Sequence, residues 1–355
     1  MIRIRRGVAL EAESRRPGVV EVLVEVHGAK ERAIAYTSLT GPVAPGDRVV
    51  LNTGAVALGL GTGGVHFVIA VEGGEDLDPP DHGGHAMKLR YTPMQHAVEP
   101  VEERHREALD AFENLAGFPV VVASLHSALS PAALAARAVR PDARVVYVMT
   151  EGGALPVAFS ETVAALKDAR LLDTTITCGQ AFGGDLEAVN RFSGLAAARA
   201  VAEADLIVVS AGPGNLGTGS RLGYASIDAG ETVNAVAALG GRPIVAPRIS
   251  FADPRDRHRG ISHHTLTALS VAALVGTEIA LPDLSDDRRE LVTRQLEEQH
   301  LLEIHRIVDV ELGSEVEDAL RSAPVRLESM GRSFDDDPDY FRSAAAAAVL
   351  AVRGR

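Results

Sequence analysis

After Gly117 the chain repeats one rhythm five times: a short apolar run, a polar or glycine-rich turn, then a helical stretch. Phe118-Pro-Val-Val-Val-Ala leads into Ser124-Leu-His-Ser127, and Arg144-Val-Val-Tyr-Val-Met into Thr150-Glu-Gly-Gly153. Asp173-Thr-Thr-Ile-Thr leads into Cys178-Gly-Gln-Ala-Phe-Gly-Gly-Asp185, and Ala204-Asp-Leu-Ile-Val-Val-Ser-Ala into the glycine turn Gly212 to Ser220. Pro243-Ile-Val-Ala-Pro-Arg-Ile then opens onto the loop Ser250 to Ser262. Runs that stay apolar instead of alternating belong to strands buried on both faces, and the helices between them supply the crossovers that parallel pairing requires. The prediction is an α/β fold on a mostly parallel, doubly wound sheet. In such a sheet the turns gather at the carboxyl edge, where ligands collect beside helix N-termini.

The first part of the chain reads differently. From Val8 to Val71 apolar and polar residues alternate between Gly, Pro and Asp turns, including Pro42-Val-Ala-Pro-Gly-Asp47, as in a small β-barrel-like domain with one face inward. At 355 residues and 46% apolar content the chain can support two cores. The expected division is a β domain over 1–73, a linker and charged helix over 74–116, and the α/β domain with a C-terminal helix over 117–355. Gly59-Leu-Gly-Thr-Gly-Gly64 runs directly into a strand, so it reads as a hairpin or barrel corner and not as a phosphate loop. His82 and His85 lack helical spacing and a nearby third ligand, so no metal site is expected there.

A formal charge of −13 excludes general binding to nucleic acid or to membrane surfaces, leaving any cationic site local. Cys178 is the sole cysteine, which rules out an intramolecular disulfide framework and a multi-cysteine metal site and fits a reducing cytoplasm. No signal peptide is expected, since Met1-Ile-Arg-Ile-Arg-Arg is followed by Gly and strand-like alternation instead of an apolar stretch, and no membrane span, since the nearest candidate, Ala344 to Val352, is short and Ala-dominated.

Candidate chemistry sits on the five turns. Gly212, Gly214, Asn215, Gly217, Thr218, Gly219 and Ser220 offer backbone N–H groups and hydroxyls to a phosphate or carboxylate, although neither the Walker nor the dinucleotide spacing is present. Arg257 and Arg259, with Arg255, His258, His263 and His264, could clamp a phosphate or carboxylate, unless Asp253 and Asp256 simply pair the arginines of that loop. Ser262 reads as the N-cap of a helix opening on His263 and His264. A helix start disfavours the imidazolium, so one of that pair could be a neutral base, with the other splayed away. His126, Glu151 and Asp185 complete the candidate acids and bases. Ser127 lacks a nucleophile elbow, and Cys178 reads as small core filling before thiolate.

Four stretches together carry a resemblance: Leu51-Asn-Thr-Gly-Ala-Val-Ala-Leu-Gly-Leu-Gly-Thr-Gly-Gly, Met87-Lys-Leu-Arg-Tyr-Thr-Pro, Ala181-Phe-Gly-Gly-Asp-Leu-Glu-Ala-Val-Asn and Arg257-His-Arg-Gly-Ile-Ser-His-His-Thr-Leu-Thr-Ala-Leu. In these the chain resembles a bacterial family known only as a domain of unknown function. That resemblance implies no reaction, cofactor or partner. The residues themselves imply a small anionic or nucleotide-like ligand in the strand-end crevice, with acid–base hydrolysis or group transfer. The alternative is a non-catalytic ligand sensor or assembly protein that uses the β domain to dock a partner; under either reading the chain could form a homo-oligomer.

Overall fold

The computed structural model describes residues 2–60, 64–74 and 83–354; the centre of the Gly59 to Gly64 run and His82 lie outside the described residues. The chain divides into two compact units, Met1–Val98 and Glu99–Arg355.

The first unit is a closed five-stranded barrel of β1 (Ile4–Arg16), β2 (Val19–Val26), β3 (Ala29–Tyr36), β4 (Arg48–Asn52) and β5 (His66–Val71), in the order β1-β2-β3-β5-β4. The alternation seen in the sequence fills its interior: Val20, Val22, Val24 and Val26 meet Ala33, Ala35, Val49 and Leu51. Register irregularities in β1 between Ala9 and Glu11 and between Glu13 and Arg16 bend that strand, which pairs with both β2 and β4. Gly7 lies where the pairing is tightest, since a Cβ there would stand 2.8 Å from the Glu25 carbonyl oxygen. The expected turn before β4 forms, with the Asp47 carboxylate accepting the Ala44 N–H at 2.7 Å.

The second unit carries eight strands, every neighbouring pair parallel. They are β6 (Pro119–Ala123), β7 (Val145–Thr150), β8 (Thr174–Cys178), β9 (Leu186–Ala188), β10 (Leu206–Ala211), β11 (Arg242–Ala246), β12 (Glu278–Pro282) and β13 (Arg306–Val310). Their spatial order is β9-β8-β7-β10-β6-β11-β12-β13. Successive side chains of each strand go to opposite faces, which is why the runs are apolar without a break. Val121, Tyr147, Met149 and Val208 pack under α1 (Leu129–Val139), α2 (Glu161–Asp168), α7 (Ser314–Arg321) and α8 (Pro338–Arg353). Val120, Val122, Val148 and Val209 pack under α3 (Arg191–Ala200), α4 (Asp228–Ala238) and α6 (Asp286–Glu298). The intervening α5 is short, His263–Thr267.

This order makes two switch points. The connection from β7 leads outward to β8 while that from β10 crosses β6 to reach β11, so adjacent β7 and β10 send their chains in opposite directions. Adjacent β6 and β11 do the same. At such points the loops part and leave crevices at the carboxyl edge.

Three local expectations change. Glu99 to Leu115 is not one helix but two, Val101–Arg104 and Arg106–Asp110, and Leu115 leaves helical geometry to donate its N–H to the Leu239 carbonyl at 2.7 Å. Ser130 before Pro131 reads in the sequence as an N-cap, but the helix begins at Leu129, after a 3-10 turn over His126–Ala128. Val325-Arg-Leu-Glu reads in the sequence as a strand, but only Glu328–Ser329 pairs, in a two-residue ladder with Arg332–Ser333.

Ala344 to Ala348 in α8 are fully or almost fully buried against α1 and the sheet. The absence of larger side chains allows this close approach. Among the described residues no helix is long and apolar enough to cross a membrane. Ala346→Leu should overpack this seam and cost about 1–3 kcal/mol. The check is the urea midpoint, which should fall with little change in slope.

Candidate functional site

The turn after β11 is the most highly organised part of the rim. A two-residue antiparallel ladder, Ile249–Ser250 with Gly260–Ile261, folds the loop back on itself. Gln295 of α6 clamps its return, accepting the Ile261 N–H at 2.8 Å and donating to the Arg259 carbonyl at 2.9 Å. Gly260 has φ +73°, and a Cβ there would stand 2.4 Å from the Gln295 Oε1, so this position requires glycine.

Asp253 holds the loop's interior. Its side chain is fully buried and accepts from Arg248 at 3.1 Å, from the Arg255 Nε and Nη2 at 2.9 Å each, and from Arg332 at 3.2 Å. The Arg255 hydrogen bonds, aided by Arg248, hold its carboxyl well below the usual carboxylate range. Arg332 also reaches Asp337, which accepts from Ser250 at 2.6 Å. The expectation that Asp253 pairs arginines of its loop therefore holds for Arg255. Among the described residues, Arg257 and Arg259 have no carboxylate within 4 Å.

Folding the loop back brings His258 against the start of α5. The His258 ring centroid lies 4.9 Å from that of His263 and 5.2 Å from that of His264, and His263 and His264 are 4.2 Å apart. The adjacent pair therefore does not splay as expected. Both residues occupy the first turn of the helix, where no preceding turn fills the space toward which their side chains lean, and both rings settle over His258. Ser262 caps the helix, accepting the His264 N–H at 3.3 Å, and its hydroxyl lies 2.7 Å from the His258 Nδ1. Desolvation, reinforced by Arg248 and Arg255, pushes His258 down to about 3. Desolvation and the neighbouring His263 push His264 down to about 4, and His263 is lowered by desolvation and Arg257. All three imidazoles are neutral at pH 7.

The glycine turn after β10 meets the same cluster. The Asn215 amide lies 3.5 Å from the His264 Nδ1 and is oriented by Ser226, whose N–H it accepts at 3.1 Å. Tyr224 stacks on His264 with centroids 4.1 Å apart and donates its hydroxyl to the His264 carbonyl at 2.8 Å. Most of the glycine turn's polar groups serve the turn itself. Thr218 and Ser220 bond each other at 2.9 Å and close on Gly223. Gly212 packs where a Cβ would stand 2.3 Å from the Ala154 carbonyl, Gly214 and Gly219 adopt positive φ, and Gly217 bridges to Tyr224. A hollow of about 390 Å³ is lined by Gly219, Arg221, Arg257, His263, Thr267 and Gln299, among others. Arg259 is not among its lining residues.

The remaining candidates lie in separate networks. His126 is buried, with Nδ1 2.9 Å from the Tyr147 hydroxyl and Nε2 2.7 Å from the Ser160 hydroxyl. Tyr147 donates to the Ala211 carbonyl at 2.9 Å and Ser160 accepts the Val163 N–H, so every group is satisfied with His126 protonated on Nδ1. Both its nitrogens are thereby engaged, and burial pushes it down to about 4. Glu151 is exposed on the rim and accepts the Gln180 N–H at 2.6 Å. Asp185 is held at the other end of the sheet, where it accepts from Lys167 and from the N–H of Thr175 near the start of β8. The chain between β8 and β9 turns fully back to pair in parallel, and this carries Asp185 away from the carboxyl edge. Cys178 is buried against Gly194 as core filling.

Arg221, Asn215's partner Ser226, and Tyr224 are not singled out by the sequence, whereas His258 is, as one cation of the loop's anion clamp and not as a partner of the His263 and His264 rings. The signal available for His258 was its spacing of five and six residues to the pair, which is uninformative without the Ile249 to Ile261 ladder. A family model described as "Protein of unknown function (DUF3866)" matches residues 32–348. No curated protein and no solved structure matches the chain.

Two outcomes follow from this geometry. Asp253→Asn would leave Arg248 buried without its counter-charge and should cost about 3–5 kcal/mol, read as a fall in the denaturant midpoint. His126 is neutral in the fold, so its contribution is intact above the unfolded value of 6.5 and is lost as pH falls toward about 4. A shift of this size is worth on the order of 3 kcal/mol. Unfolding midpoints measured across that window should therefore fall less steeply for His126→Gln than for the native chain.

Proposed function

The chain belongs to the DUF3866 family, whose description specifies no activity, and from its own geometry we propose that it binds a small anionic ligand in the hollow between the glycine turn and the start of α5. One observation carries this reading. Arg221 and Arg257 line one hollow and, among the described residues, neither has a carboxylate within 4 Å, in a chain whose net charge is −13. Asp253 is already saturated by three other guanidiniums, so it does not neutralise them. Two unneutralised guanidiniums at a topological switch edge suit a phosphate or carboxylate, which each could hold through charge-assisted hydrogen bonds. The imidazoles of His263 and His264 stand beside the hollow, so acid–base hydrolysis or group transfer is the reaction class this site fits. In this reading the glycine turn positions Asn215 and Tyr224 against His264, and contributes backbone at Gly219.

Thermal unfolding with inorganic phosphate, ADP or citrate tests the proposal. A ligand present at 100 times its Kd should raise stability by about 2.7 kcal/mol. Arg221→Gln and Arg257→Gln should each weaken binding by about 1.5–3 kcal/mol. Stabilisation that survives in the double variant, or no stabilisation by any of the three probes, would overturn the reading.

A further inference from the structure

We infer that His258, His263 and His264 form a site for one divalent transition metal ion of the zinc class, bound by three imidazoles with a further position for water or an anion. The ligand nitrogens of the three residues all lie within 4.8 Å of one another. A tetrahedral ion at about 2.0–2.1 Å from each nitrogen holds them roughly 3.3 Å apart, so the rings need close in only modestly. The donor set decides the class of ion: imidazoles without a carboxylate suit zinc, copper or nickel and not magnesium or calcium.

The surroundings agree with this. The Ser262 hydroxyl engages the His258 Nδ1 at 2.7 Å, fixing that ring as an outer-shell partner fixes a metal-bound imidazole and leaving Nε2 as the available donor. The contact on that Nε2 is a long one, 3.4 Å from the Arg257 Nε. His263 Nε2 is buried and has no hydrogen-bond partner, an unfavourable condition that an ion would relieve. The Asn215 contact to His264 is at the 3.5 Å limit, so that ring is steered without being saturated. Three neutral ligands leave a bound dication uncompensated, and with Arg221 and Arg257 lining the hollow beside His263 an anion or hydroxide is the preferred fourth ligand. Three protein ligands and one exchangeable position are the arrangement of catalytic zinc sites, whereas structural sites are closed by a fourth side chain. The assignment stands on the histidine cluster and does not require the anion reading, since water can complete the coordination.

The test uses the full chain without a histidine tag, stripped with a chelator and then titrated with Co²⁺. One equivalent should bind with the intense visible bands of four-coordinate Co²⁺, and Zn²⁺ should displace it. His258→Gln, His263→Gln and His264→Gln should each weaken Co²⁺ binding at least about ten-fold, while His300→Gln, on an exposed side chain, should leave it unchanged. X-ray absorption on the native chain loaded with Zn²⁺ counts imidazole ligands directly and remains decisive if a variant fails to fold. Fewer than three imidazoles, six-coordinate Co²⁺, or variants that bind as tightly as the native chain would overturn the assignment. Phosphate binding by the metal-free protein is read separately, so failure of the metal site with phosphate binding retained sinks this inference alone.

Discussion

Parallel pairing is the constraint from which the larger unit follows. Eight strands running the same way must each be left at one edge and re-entered at the other, so every connection crosses a face and every following turn emerges on the same rim. The order β9-β8-β7-β10-β6-β11-β12-β13 adds crossings of β10 and β6 in opposite directions. Loops distant in sequence, one near Asn215 and one near His264, are brought within hydrogen-bonding reach as a result.

On that rim, charge is sorted. A buried arginine such as Arg248 is tolerated where a carboxylate answers it, and Asp253 answers Arg248 together with the more exposed Arg255 and Arg332. It anchors the β11 loop, while Arg257, beside the hollow, has no carboxylate partner among the described residues. The loop that stores its charges inward also sets His258 against the His263 and His264 rings at the start of α5. Desolvation and surrounding guanidiniums keep those imidazoles neutral.

Much of this architecture was readable beforehand because it depends on period. Unbroken runs such as Val120 to Ala123 and Val145 to Met149 announced strands buried on both faces, and the alternation of Val20, Val22 and Val24 announced a barrel wall. Ser262 was legible as a cap because capping is local chemistry. What stayed hidden depended on distance across space. Asp185 follows a strand in sequence and so looked like a rim residue, yet the tight return into β9 takes it to the opposite end. His258 was legible as one cation of an anion clamp, but its contact with the His263 and His264 rings follows from the pairing of Ile249 with Ile261. His126 lies on the expected edge but is committed to Tyr147 and Ser160, partners 21 and 34 residues away that no local pattern predicts.

The alanine-rich helix α8 has a bearing on biosynthesis. It packs against α1, β6, β11 and β12, yet it is read out last of these by more than fifty residues. While a ribosome is still translating the earlier elements, one side of the sheet's middle has no lid, and Val121, Ile244 and Ala280 lack their final covering. Domains generally fold as units and nascent apolar surface invites association, so this unit must mature after its closing segment has left the exit tunnel.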